Sequence, residues 1–360
     1  MSGLSTTNYL TPSGREEAWR FTPLARLAGL LNVDVALEQV ASFALSAPQP
    51  GVTLESKESE PYSQTTDSAT IRARSAVTHA QYLTIAANAE VNDPIVITRT
   101  GLSGSAPQAT RLQIHVGANA HAKLLIENTG EAIVAEEIEF KLEQGASLHF
   151  ISIQEWAPKA VQLARHHAII GKDATFTSTV VTIGGSLVRI LPTVEYSGQG
   201  SFADLSGVYF ATDGQHLEHR IHVDHNIPNA KSRVNYKGAL AGDKARTVWI
   251  GDVYIRAEAE GTDTYELNRN LLLSDGARAD SVPNLEIETG EIVGAGHAST
   301  TGRFDDEQLF YLESRGIPAE IARRLVIRGF FSEIVSLIKI EEVEERIMVR
   351  IDSELDKVGK

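Results

Sequence analysis

Between residues 70 and 295 the apolar positions fall in short runs rich in Val, Ile, Thr and Leu, separated by Gly, Asn and Asp. Pro94-Ile95-Val96-Ile97-Thr98, Lys123-Leu124-Leu125-Ile126, Leu148–Ile153 and Val180–Ile183 are examples. Such runs read as strands bounded by turns. No convincing ten-residue helical pattern interrupts them between 80 and 300. That argues against a βαβ fold, which needs a helix between parallel strands. A looser repeat overlies the runs: a turn residue, a small residue, then an apolar strand. It occurs at Gly117-Ala118-Asn119-Ala120, Gly145-Ala146-Ser147, Gly171-Lys172-Asp173-Ala174, Gly198-Gln199-Gly200-Ser201 and Gly242-Asp243-Lys244-Ala245, the first four every 26–28 residues. A regular period in helix-free β text suggests a solenoid whose coils bury their apolar faces on one another. A β-sandwich is the alternative left open by pattern alone; it calls for hairpin signals every 8–12 residues.

The flanks differ. In 1–45, a helical N-terminal region is expected, with Leu24, Leu27, Leu30 and Leu31 at helical spacing and Trp19 and Phe21 packing on a neighbour. The text from 46 to 70, rich in Ser, Thr, Pro and Glu, reads as a flexible linker. The β core then spans 71–302, and a C-terminal helical domain covers 303–360. There Asp305 caps a first helix, with Gln308 three residues on and Gly316 ending it; Leu309, Phe310 and Leu312 form its apolar face. Pro318 opens a second helix. Its apolar positions, Ile321, Leu325, Val326, Phe330, Phe331, Ile334, Val335, Leu337 and Ile338, make a face too broad for one buried stripe. A charged third helix runs from Ile340 to about Leu355.

Composition removes several functions. The 360 residues carry a net charge of −14, which gives no electrostatic footprint for nucleic acid or an anionic membrane. There is no cysteine, so the chain supplies neither disulfides nor thiolate ligands. No secretory signal or membrane-length apolar run is visible, and a cytoplasmic location is the expectation.

Candidate chemistry is sparse. His216, His219, His222 and His225 suggest a metal site at first sight. On a strand, however, side chains alternate faces. His216, Glu218, Arg220, His222 and Asp224 then form a solvated polar face, and Leu217, His219, Ile221, Val223 and His225 an apolar one. A flat strand does not converge such ligands. His166 and His167 point apart for the same reason. A solenoid acting on carbohydrate needs a carboxylate pair in a groove, and none stands out; no phosphate loop occurs. His297 follows Gly294-Ala295-Gly296, where strand text gives way to helix. In a Gly-rich turn it is a hydrogen-bonding residue or an iron ligand.

Asn268–Ala277, Pro283-Asn284-Leu285-Glu286-Ile287, Gly296–Gly302 and Leu309–Ile317, in this order over about fifty residues, closely resemble the SufB/SufD family, subunits of the SUF iron–sulfur cluster assembly scaffold. Weaker agreement extends through His225, Pro228, Ser232, Lys237-Gly238 and Gly251, and Glu17-Ala18-Trp19-Arg20-Phe21-Thr22 resembles the family's N-terminal signature. The resemblance implies a right-handed parallel β-helix between helical ends. It implies a non-catalytic scaffold subunit that pairs with a cysteine-bearing B-type (SufB-like) subunit, with a homodimer possible when alone. It also implies an ABC-type ATPase (SufC-like) docked on the C-terminal helices, for which Ile321, Leu325, Phe330, Phe331 and Ile334 are the candidate contacts. The absence of cysteine marks the chain as most like the D-type (SufD) subunit. His297 falls on the histidine of the family's Cys-Ser-His motif, with Ala295 in the cysteine's place; it becomes the candidate ligand of a transient iron–sulfur cluster shared with the partner, no cluster being held stably by this chain alone. A β-solenoid carbohydrate-active enzyme is the alternative.

Overall fold

The structure is a computed structural model that describes residues 11–58, 60–303 and 306–358. Its centre is a β-solenoid made of two long sheets. Beyond the N-terminal strands, neighbours within each sheet differ by two in chain order, so the chain lays one strand in sheet A, turns, lays one in sheet B, and returns. Successive coils stack in parallel register. Gln108 pairs with Val134 and Arg246 with Arg278, so the coil lengthens from 26 to 32 residues along the stack. The solenoid expectation holds; the sandwich would have required antiparallel pairing throughout.

Parallel stacking needs the same corner in every coil. Asn119, Asp173 and Asn229 adopt a left-handed backbone, and so do Gly145, Gly200 and Gly261 in the intervening coils. The corner amides bond to carbonyls one coil on, as in Asn119 N to Gln144 O at 2.9 Å and Gly145 N to Lys172 O at 2.9 Å. Asn and Asp tolerate this conformation better than other side chains, and glycine adopts it freely. At Gly200 a second constraint applies: a side chain would overlap Asp173 Oδ1 of the previous coil.

Inward-facing residues of both sheets form one continuous apolar core, from Leu83 and Ile114 through Phe140, Phe150 and Val194 to Val253. The outward faces are apolar too, and each is covered. Sheet A carries Leu163 and Leu187 against Trp19, Leu27, Leu30 and Ala73. Sheet B carries Ile151, Val181 and Phe210 against the C-terminal helices. Both faces of each sheet are therefore buried along most of the stack, which is why the strands read as near-continuous apolar runs.

The covering of sheet A differs from expectation. The described part of the N-terminal region is not helical beyond two single 3-10 turns, Glu17–Trp19 and Leu24–Arg26; it continues as two short strands, Glu38–Gln39 and Phe43–Leu45. Pro23 and the left-handed Ala28 and Gly29 prevent a longer helix. Burial against sheet A, not helix periodicity, accounts for the leucines. Nor is 46–70 an unstructured linker. Val52–Glu58 pairs antiparallel with His79–Ile85 and closes the first coil of sheet A. Phe43–Leu45 does the same to Ile95–Arg99 in sheet B. The polar composition is that of a capping edge strand, which keeps charge on its open side. Helix α1 (Ser68–Ala76) follows, capped by the Asp67 carboxylate, which accepts from Thr70 N at 2.9 Å.

A network of buried charges ties α1 to sheet A. Glu137 accepts from Arg74 Nε at 2.8 Å and from Arg111 Nε at 3.2 Å, and Arg165 Nη1 approaches it at 3.2 Å. Burial acts to raise the Glu137 pKa, but these arginines outweigh it and the carboxyl stays ionised. Breaking one partner of such a set leaves uncompensated buried charge.

The C-terminal region comprises α2 (Asp306–Ser314), α3 (Ala319–Val335) and α4 (Glu341–Val358). The expected cap Asp305 lies outside the described residues, as does the side chain of Gln308. Gly316 takes the left-handed conformation that ends the first helix. Helix α3 lies across sheet B. Lys237 Nζ donates to Phe330 O at 2.9 Å and to Glu333 Oε2 at 2.6 Å, and Lys123 Nζ donates to the Ile338 and Lys339 carbonyls at 3.0 and 2.9 Å. Lys237 thus ties sheet B to the body of α3, and Lys123 satisfies carbonyls just beyond its end.

The corner generates a test. Gly200→Ala must place an alanine in left-handed backbone, costing about 1–2 kcal/mol, and must also displace Asp173. Gly214→Ala shares the positive φ but meets nothing within 4 Å. In urea unfolding, Gly200→Ala is expected to lose more stability than Gly214→Ala; equal losses would show that the coil-to-coil contact is unimportant.

Candidate functional site

The two ends of the solenoid are unlike. The first coil is closed by antiparallel strands. The last strands, Arg278–Ile287 in sheet A and Gly294–Arg303 in sheet B, are the end members of their sheets, each paired on one side only. Their residues are mostly half-buried or exposed. Among the described residues no further strand pairs with this end, and the inward face of the last coil is partly exposed there.

His297 lies in the last strand rather than in a turn. Gly294, Ala295 and Gly296 pair with Asp263, Thr264 and Tyr265, and the ladder draws this glycine-rich text into the sheet. The small residues have a packing role: Ala295 rests on the lumen core, and Gly296 lies beneath the Tyr265 ring. His297 shares the inward face with Ala295, so its ring stands at the mouth of the lumen. Its side chain is 41% exposed.

Directly opposite in register is Glu266, one coil deeper. Its side chain is 1% exposed, and Oε1 lies 3.7 Å from His297 Nδ1. Neither carboxyl oxygen has a hydrogen-bond partner. The carboxyl reaches across the lumen to sheet A, where Gly251 makes room for it; any side chain at 251 would overlap Glu266 Oε2. Burial, and secondarily the nearby Asp252 carboxylate, raise the Glu266 pKa from 4.5 to about 8.

The surrounding lumen is polar. Tyr209 Oη donates to Asn270 Oδ1 at 2.7 Å and accepts from Asn268 Nδ2 at 2.9 Å. Asn268 Oδ1 accepts from Ser281 Oγ at 2.7 Å, and Ser281 Oγ is 2.7 Å from Ser299 Oγ. Asn270 also donates to Thr301 Oγ1 at 3.3 Å. A chain of side chains therefore connects a fully buried tyrosine to the mouth. It holds the end coils in register where the apolar core gives out.

The other histidines stay apart. His219 and His225 face the lumen, stacked on Tyr209 and Tyr196 with ring centroids 5.0 Å away. His166 is also inside, edge-on to Phe150. Burial lowers the pKa of His219 and His166 to about 3 and of His225 to about 4, so all three are neutral. His167 faces outward, 2.8 Å from Thr193 Oγ1. The face carrying His216 and Glu218 is not solvated at its start. The N-terminal segment lies on it: Thr22 Oγ1 donates to Glu218 Oε2 at 2.8 Å, and Trp19 stacks on the Arg189 guanidinium at 3.9 Å. Burial opposes ionisation of Glu218, but His216 and Arg189 bring its pKa down to about 2. Among the described residues, no three His, Asp or Glu side chains are placed to hold a metal ion.

The broad apolar face of α3 divides. Ile321 and Leu325 are 51% and 48% exposed, while Phe331 and Ile334 are fully buried against sheet B. Phe330 is half-buried beside Lys237. Phe331 and Ile334 are therefore core residues rather than docking contacts: the sheet takes one half of the face, and a sequence pattern cannot assign which. Phe310 and Tyr311 on α2 are exposed, and a cavity of about 570 Å³ lies between Leu273, Leu309, Glu320, Arg323, Arg324 and Asp356. Among the described residues no helix is long and apolar enough to cross a membrane.

Glu266 escaped the sequence reading. The available signal was alternation in Thr264-Tyr265-Glu266-Leu267-Asn268-Arg269-Asn270, which sets Glu266 on the face of the two asparagines. What it faces depends on Gly251 and His297 in other coils.

These features define a parallel β-solenoid protein with one capped end and one open, polar end. The chain belongs to the SufBD family: the family model described as the SufBD core domain of the SUF system for FeS cluster assembly matches residues 97–330. It is 49% identical over 356 residues to an iron–sulfur cluster assembly SufBD family protein of Mycobacterium tuberculosis, covering 96% of this chain and 89% of that one. A Mycobacterium leprae protein of the same description is 48% identical over 355 residues, covering 96% and 90%. The iron–sulfur cluster assembly protein SufD of Escherichia coli is 28% identical over 245 residues, covering 68% of this chain and 51% of its own length.

Glu266 yields a pH test. Its folded pKa lies above its unfolded value, so the native state holds a proton that the unfolded chain releases. Stability is therefore lost as pH rises from about 4.5 towards 8. Glu266→Gln removes that loss and is expected to be more stable than the parent at pH 8, by on the order of 2–4 kcal/mol, and close to it at pH 4.5. Paired denaturant titrations at the two pH values measure the difference; a gap that does not grow with pH contradicts a neutral buried carboxyl.

Proposed function

We propose that this chain is the D-type, non-catalytic scaffold subunit of a SUF assembly complex, working in the cytoplasm. The observation that carries the reading is the open end. Two one-sided sheet edges flank a polar lumen mouth with His297 standing in it, in a chain with no cysteine. A bare sheet edge is a template for pairing with another chain. A second parallel solenoid with cysteines, the B-type subunit, would continue both sheets and bring the thiolates that this chain lacks. Without that partner, a second copy of the chain can occupy the same edges. The iron–sulfur cluster is the cargo of such a complex, with His297 offering nitrogen to a site otherwise held by the partner's sulfur; clusters are mostly thiolate-held.

The same reading places the ABC-type ATPase on the C-terminal helices, at Ile321 and Leu325 rather than at Phe331 and Ile334. Exposed apolar residues on α2 and α3 beside a cavity favour a protein contact there. Family membership favours the scaffold over the carbohydrate enzyme. The carboxylates on the uncovered part of sheet A also have partners, Asp224 with Arg256 at 2.7 Å and Asp252 with Asn284 at 2.6 Å.

Co-purification with a cysteine-bearing SufBD partner and the ATPase tests the proposal. The isolated chain is expected to be colourless. His297→Ala should leave the three-protein complex intact and lower its cluster content several-fold; unchanged content would remove His297 from the site. Ile321→Glu together with Leu325→Glu should release the ATPase and leave the solenoid partner bound. Retention of the ATPase would move its docking surface elsewhere.

A further inference from the structure

Glu266 is the one feature of the mouth that the scaffold reading does not use, and it is costly as it stands. A buried carboxyl with both oxygens unpartnered loses the hydration it has in water and gains nothing in return. The fold nevertheless builds a place for it: Gly251 is vacant of a side chain where Glu266 Oε2 lies, on the opposite wall of the lumen. Among the described residues the cationic or cation-forming side chain within 4.0 Å is His297.

We propose that Glu266 and His297 form a two-donor half-site for a divalent transition-metal ion, ferrous iron in the scaffold reading on which this inference rests. Donor atoms sit about 2.0–2.2 Å from such an ion, so one ion spans two donors up to roughly 4 Å apart. His297 Nδ1 and Glu266 Oε1 are 3.7 Å apart, on facing positions of adjacent strands whose register is set by the sheet. An imidazole with a carboxylate is a donor pair that suits iron. On taking up the ion the Glu266 carboxyl releases its proton to solvent, and the carboxylate so formed supplies the charge that an imidazole lacks, in a setting where water screens it little. The half-site is incomplete by construction: no third His, Asp or Glu converges on it among the described residues, and it opens outward through the exposed His297 ring. Its remaining positions face whatever closes the mouth. The scaffold thereby contributes an oxygen donor as well as a nitrogen, and iron is held on this chain's side of the interface before sulfur from the partner completes its coordination.

Cobalt(II) binding to the isolated chain, followed by calorimetry and visible absorption, tests the half-site without any cluster being built. One saturable Co²⁺ is expected, with Glu266→Gln and His297→Ala each weakening it tenfold or more. Glu266→Asp, which withdraws the carboxylate by one methylene, is the second variant should the glutamine form fail to fold, and circular dichroism reports folding for all. If Glu266→Gln binds as the parent does while His297→Ala does not, Glu266 is no ligand and the histidine reading stands alone. If both variants bind as the parent does, the ion sits elsewhere and neither residue holds it. Absence of saturable binding up to about 1 mM, a very weak affinity, overturns the half-site, while the His297→Ala cluster measurement in the complex still decides the scaffold reading.

Discussion

The structure depends on one constraint, the hydrogen-bond ladder between successive coils. Each coil satisfies its backbone amides and carbonyls on the coil before and the coil after. The ladder persists only if every coil turns at the same places. The left-handed corners therefore recur at Asn119, Gly145, Asp173, Gly200, Asn229 and Gly261. Coils can lengthen from 26 to 32 residues because the extra residues go into turns, leaving the paired strands in register.

A ladder of this kind has two ends, and each is a row of unpaired backbone groups. At the N-terminal end Phe43–Leu45 and Val52–Glu58 pair antiparallel and close it. At the C-terminal end the chain leaves the sheets after Arg303 and turns to helix, so the last strands stay one-sided. The apolar core thins there and gives way to Asn268, Asn270, Ser281 and Ser299, joined by hydrogen bonds. The site follows from that asymmetry: at one register position of the inward face, Glu266 is buried and His297, its partner in the last coil, is exposed.

Much of this was legible beforehand. Strand text without helices, the 26–28-residue spacing of Gly-containing corners, and the ordered motifs from Asn268 to Ile317 pointed to a SufBD-type solenoid, and the family model and the relatives agree. The misreadings share a cause. Leu24, Leu27, Leu30 and Leu31 have helical spacing but are buried by a nearby sheet. Val52–Glu58 is polar because it is a capping edge strand. Phe331 and Ile334 belong to a broad apolar face, half of which the sheet claims. In each case an element of distant sequence set the environment, and no local period reports it.

The sequence by itself determined the period, the strand and corner positions, the lack of thiolates and the histidine at the end of the β text, because these rest on residue type and local spacing. The tertiary structure alone decided which faces are covered, which end is open, and that Glu266 meets His297 over the space left by Gly251. Those three residues stand in three different strands. Only the stacking of coils brings a carboxyl, an imidazole and an absent side chain to one point, and burial there, not residue type, keeps the carboxyl protonated.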